Sequence, residues 1–151
     1  MQQTLSHEAT SNLADEITRL VDGRRIDRVI VVGCQQIELL VQLAHRGFAD
    51  VTCRAGLAGP NAGELSADLI IVPAIDREPR LTLLLSRLVR GLRPDGLLLL
   101  CTGASPFTAR LQQTQKILRQ NGFAIVRRQL EPATLQVLYC RKIAALQTQA
   151  A

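Results

Sequence analysis

Tryptophan is absent from this 151-residue chain, and Phe48, Phe107, Phe123 and Tyr139 are its only aromatic residues. Each lies in an apolar stretch and reads as core, so no row of exposed rings is available for stacking single-stranded nucleic acid. Long hydrophobic runs are missing too. None reaches the roughly 20 residues of a membrane span, and Met1 to Thr10 lacks the charged-then-apolar layout of a secretory signal. A cytoplasmic protein with no membrane partner is expected. Cys34, Cys53, Cys101 and Cys140 have no metal-ligand spacing, and three of them sit in apolar runs where a reduced thiol behaves as a small hydrophobe. His7 lies in a polar leader and His45 near a helix end, where the dipole favours a cation. Neither has a visible partner, so no catalytic residue and no metal ligand is assigned.

What is present fits one domain. Hydrophobic residues make up 47% of the chain, enough for a single core. Residues 1–10 read as a flexible leader, 11–143 as the domain and 144–151 as a disordered tail. The net charge of +5 comes almost wholly from arginine. Arg77, Arg80, Arg87 and Arg90 fall near one side of a predicted helix, which reads first as a solvated face and second as a phosphate track for nucleic acid.

Helical and strand patterns alternate along the chain. Leu13, Ile17, Leu20 and Val21 repeat at helical spacing up to Gly23, and Arg28 to Val32 follows as a buried strand. Gly33 turns the chain into a second helix through Ile37, Leu40, Val41 and Ala44, and Asp50 to Arg54 is the next strand. Asp68 to Val72 is a continuous apolar run. Leu81 to Leu92 is a helix with Pro79 near its first turn. The turn Arg93-Pro-Asp-Gly delivers the apolar strand Leu97 to Cys101, and Ser105-Pro106 opens a helix that Gly122 ends. Phe123 to Gln129 and Leu135 to Cys140, separated by Glu131 to Thr134, read as a hairpin. Apolar strands alternating with amphipathic helices define an α/β fold, a three-layer doubly wound and mainly parallel sheet closed by a C-terminal antiparallel hairpin.

Three stretches resemble the class I S-adenosylmethionine-dependent methyltransferases: the strand and glycine turn from Val29 to Glu38, the Gly91-Leu-Arg-Pro-Asp-Gly turn before Leu97 to Leu100, and the antiparallel ending from Phe123 to Cys140. The resemblance covers roughly Leu13 to Lys142. It implies S-adenosylmethionine as the possible cofactor, held near Gly33, Cys34, Gln35, Ala55, Pro73 and Asp76.

The positions that carry the family's chemistry depart from its pattern. Val31 stands where the family places an acid near the end of its first strand. Gln35 and Ile37 follow the single Gly33, and their side chains would crowd a turn where glycines let the backbone approach the ligand. Ala55 aligns with the acid that accepts hydrogen bonds from ribose hydroxyls, and Arg54 beside it cannot accept one. Asp76 is the one acid near the expected pocket rim, read first as a loop carboxylate. Cys34 at a helix start would favour a thiolate, although a packing role is the first reading. Only thirteen residues, Ala55 to Ala67, precede the next strand, where a helix and a further strand need about 25 or more. One helix and one edge strand of the family's sheet are therefore expected to be missing. That leaves Asp50 to Arg54 as an exposed edge open to self-association, here as a homodimer, unless Ala55 to Gly63 folds over it. The glycines of that segment lack the lysine and hydroxyl of a phosphate loop.

Three functional readings follow. The first is a degenerate methyltransferase-fold protein, a non-catalytic binding or assembly module. The second is a small active methyltransferase, and the third a basic protein associated with nucleic acid.

Overall fold

The computed structural model describes residues 7–32, 37–54, 67–72, 81–102, 108–130 and 135–142. They form helices α1 (His7–Leu20), α2 (Ile37–His45), α3 (Leu81–Gly91) and α4 (Thr108–Gln120). The strands are β1 (Val29–Val32), β2 (Val51–Arg54), β3 (Ala67–Val72), β4 (Leu92–Thr102), β5 (Phe123–Leu130) and β6 (Leu135–Lys142). One six-stranded sheet runs in the order β2-β1-β3-β4-β6-β5. β2, β1, β3 and β4 are mutually parallel, and β6 lies antiparallel between β4 and β5. The α/β class, the mainly parallel sheet and the terminal hairpin are as the sequence predicts. Among the described residues no strand lies beyond β2, which is the edge expected from the short spacing between Arg54 and Ala67.

The apolar strand runs exist because both faces of the sheet are covered. Val29, Val31, Leu69, Ile71, Leu97 and Leu99 pack with Leu13, Ile17, Leu39 and Leu43 of α1 and α2. Their alternates Ile30, Val32, Ile70, Val72, Leu98 and Leu100 pack with Leu85, Leu88 and Leu118 of α3 and α4. Alternation along each strand thus feeds two separate core layers.

Boundaries differ from the sequence reading at two places. α1 begins at His7, inside the stretch read as leader, and Thr10 is already buried in it. The polar residues of this first turn carry no apolar period that would mark them as helix. Arg93 to Gly96 is a bulge inside β4 and not a free turn: Leu92 pairs with Ala67 and Leu97 with Leu69, so four residues stand opposite Asp68 alone. Asp95 adopts φ 65° to make the bend. A Cβ on Gly96 would sit 2.6 Å from Leu92 Cγ and 2.7 Å from the Arg93 carbonyl oxygen, so only glycine fits.

The Gly33 turn, Ala55 to Gly63, the Pro79 start of α3, the Ser105-Pro106 cap, the hairpin turn Glu131 to Thr134 and the tail 144–151 lie outside the described residues, as do Arg77 and Arg80.

Candidate functional site

The four parallel strands end in one row, at Arg54, Val32, Val72 and Thr102. From β1 the chain passes outward to β2 and then returns to β3 on the other side of β1. In an open α/β sheet the crevice beyond the carboxyl ends at such a reversal is where ligands bind. Register keeps the row level, since Val32 pairs with Arg54, Val31 with Ile71, and Val72 with Leu100.

Every predicted cofactor position follows one of these strand ends. Gly33, Cys34 and Gln35 come after Val32, Ala55 after Arg54, and Pro73 and Asp76 after Val72. All six lie outside the described residues, so the fold brings the strand ends together without describing those residues. Two flanking positions are described. Val31 is fully buried in the α1–α2 core layer, and Ile37, at the start of α2, is 71% exposed.

None of the four strand ends is a carboxylate. The sheet's aspartates gather at the opposite pole, where Asp27 precedes β1, Asp50 precedes β2, Asp68 sits near the start of β3 and Asp95 lies in the β4 bulge. Each meets arginine there. Arg25 Nε lies 3.2 Å from Asp27, Arg28 Nε 3.4 Å from Asp50, and Arg141 Nη2 3.9 Å from Asp95. Arg24 donates to the Asp95 carbonyl at 3.1 Å. Asp68 is the hub. Its Oδ1 accepts from Arg93 Nη1 and its Oδ2 from the backbone N–H groups of Asp27 and Arg28, all at 2.9 Å. The sequence reading gives Asp68 no role beyond opening a strand.

Other reactive groups offer no site. Burial pushes the Cys140 thiol up to about 12, away from the thiolate that nucleophilic chemistry needs. Cys101 is buried and Cys53 half-buried on β2. His45 is exposed in the last turn of α2. Among the described residues no cluster of His, Cys, Asp or Glu could hold a metal ion, and no helix is long and apolar enough to cross a membrane.

No known protein family matches the chain by sequence, and no curated protein does. Solved structures do match. The chain is similar to Haemonchus contortus phosphoethanolamine N-methyltransferase 2 in complex with S-adenosyl-L-methionine, at a TM-score of 0.69 and 16% identity over 93% of this chain and 38% of that one. It is also similar to Burkholderia thailandensis 1,6-didemethyltoxoflavin-N1-methyltransferase with bound S-adenosylhomocysteine, at a TM-score of 0.67 and 17% identity over 90% and 79% of the two chains. A third similar structure is the [4+2]-cyclase SpnF, at a TM-score of 0.64 and 14% identity over 91% and 82%. The chain thus has the fold of the class I S-adenosylmethionine-dependent methyltransferases, in a shortened form spanning well under half the length of the Haemonchus enzyme. That the same fold also carries a cyclase means that it does not fix the reaction.

Proposed function

We propose that this protein is a methyltransferase-fold module that binds or assembles without transferring a methyl group, a pseudoenzyme in the family's shape. The observation that carries this reading is the distribution of carboxylates. A ribose-binding acid belongs at the carboxyl end of the second strand; here that strand ends at Arg54 and is followed by Ala55, while the sheet's aspartates are engaged at the other pole. Buried Val31 and exposed Ile37 stand where the family uses an acid and a close-approach turn.

The competing reading is a small active methyltransferase, supported by the similar structures that hold S-adenosylmethionine or its demethylated product. Thermal unfolding with a millimolar excess of each compound separates the two. A ligand at about a hundred times its dissociation constant adds roughly 2.7 kcal/mol, several degrees for a domain of this size. The module reading expects no shift with either compound. A clear shift overturns it.

Assembly is supported by the edge. β2 has a strand partner on one side only among the described residues, and Ile37 and Val41 on the adjacent α2 are 71% and 45% exposed. A homodimer formed by antiparallel β2 pairing centred on Thr52 would set Asp50 opposite Arg54 of the partner subunit, a favourable cross-strand charge pair.

A further inference from the structure

Charge is segregated across the sheet. α1 and α2 carry four carboxylates, Glu8, Asp15, Glu16 and Glu38, and one arginine, Arg19, with Arg46 just past α2 paired to Asp15. The opposite layer, α3 and α4, carries Arg87, Arg90, Arg110, Lys116 and Arg119 and no acid at all. The bias extends along the chain: from Leu81 to Leu130 there are eight basic residues and one acid, Asp95, which sits at the aspartate pole. Two faces of one small domain therefore have opposite sign, and a net charge of +5 understates the field on the α3–α4 side.

Helix dipoles explain only part of this. Arg90 and Arg119 lie in the last turns of their helices, where a cation is favoured. Arg87 and Lys116 lie one turn earlier, and the dipole does not require that both helices lack acids throughout.

The geometry makes one patch of these charges. α3 and α4 pack against each other and run in the same direction, because each returns the chain from the carboxyl end of the sheet to the start of a strand. Arg87 and Arg90, in the later turns of α3, and Lys116 and Arg119, in the later turns of α4, therefore lie toward the same end of this layer. Arg90, Lys116 and Arg119 are exposed and enter none of the ion pairs formed among the described residues.

The rest of the face narrows the partner. Among the described side chains of α4 the exposed ones are Gln112, Gln113, Lys116, Arg119 and Gln120, and none is apolar; on α3 they are Leu83, Ser86 and Arg90. A protein interface needs an apolar centre, and Leu83 is the one exposed apolar side chain among those described on α3 and α4, whereas arginine, lysine and glutamine are side chains that contact phosphate and sugar. Single strands would need aromatic platforms. Phe48 and Tyr139 pack against one core layer and Phe123 is buried in the other.

We propose that the α3–α4 face docks the phosphate backbone of a nucleic-acid duplex without reading its sequence. This is independent of whether the carboxyl end of the sheet holds a cofactor.

The test is fluorescence anisotropy of the full chain with a short labelled duplex of mixed sequence. Non-specific affinity of order 10⁻⁴–10⁻⁶ M is expected, with log K falling on log salt at a slope of about −3 for phosphates neutralised by Arg90, Lys116 and Arg119, measured between about 50 and 200 mM. Lys116→Glu and Arg25→Glu change net charge equally, and Arg25 lies outside α3 and α4, in the segment between α1 and β1, where it pairs with Asp27. Lys116→Glu should weaken binding about tenfold and flatten the slope by about 1, while Arg25→Glu changes affinity less than about twofold. Circular dichroism of both variants checks that the fold is retained. No salt-dependent binding, equal weakening by the two variants, tighter binding to a single strand than to the duplex, or displacement of the duplex by polyglutamate at equal charge would each overturn the proposal.

Discussion

Arg93 reaches across the β4 bulge to place its Nη1 2.9 Å from Asp68 Oδ1, while the other oxygen of that carboxylate holds the backbone entering β1. One side chain therefore joins the starts of three neighbouring strands. The Asp68 side chain is 15% exposed and that of Arg93 45%, so the two ends should contribute unequally. Asp68→Ala is expected to lower stability by about 2 kcal/mol, because three donors lose a charged acceptor. Arg93→Ala should cost less than about 1 kcal/mol, since the exposed end is screened by water. Urea denaturation of both variants checks the order, and an equal cost would contradict the hub.

Gly96 is fixed by space. Its added Cβ would meet a backbone carbonyl oxygen that cannot swing away, so Gly96→Ala should destabilise by about 1–3 kcal/mol. Gly122, with φ +85° and nothing near an added Cβ, provides the comparison. There Ala should cost only the strain of a left-handed backbone, about 1 kcal/mol. Melting both proteins side by side reads the difference.

The Cys140 thiol is held up to about 12, from 9.0, by burial. The unfolded chain releases that proton at lower pH than the native one, so stability from this group is fully present below about 9 and is lost as pH rises toward about 12. Cys140→Ala should flatten the loss of stability over that window, apart from a constant cavity cost. Native-state alkylation at pH 8 should leave Cys140 unmodified, and rapid labelling of it would refute the burial argument.

Thr52 is exposed at the centre of β2. If copies pair through that edge, Thr52→Lys should shift the protein toward monomer in sedimentation velocity by setting two like charges face to face. Its melting temperature at low concentration should barely move. A protein that is monomeric before the substitution removes the homodimer from consideration.

The fold was legible because its strands are buried on both faces, so Val29 to Val32, Leu69 to Val72 and Leu97 to Cys101 stand out as unbroken apolar runs. The count of residues between Arg54 and Ala67 was enough to foresee β2 as the edge among the described residues. The start of α1 was hidden, since its first turn is polar. Asp68 was hidden because its partners lie at least 25 residues away in sequence, and spacing rules see only neighbours. The arginine face was half visible. Arg87 and Arg90 share a side of one helix by spacing, but Lys116 and Arg119 join them only once α4 packs beside α3, a tertiary fact that periodicity does not contain. The predicted cofactor positions lie outside the described residues, and the departures at Val31 and Ile37 were readable residue by residue.

The placement of β6 sets a condition on biosynthesis. Among the described strands β6 is made last, yet it is inserted between β4 and β5, where Leu138 and Cys140 complete the α3–α4 core layer. Until Leu135 to Lys142 has emerged, the nascent chain presents β4 with one whole edge unsatisfied and five consecutive apolar residues, Leu97 to Cys101, along it. Leu135 to Lys142 must therefore be made before the sheet can close, and any stall upstream of Leu135 leaves an adhesive strand for chaperones to shield.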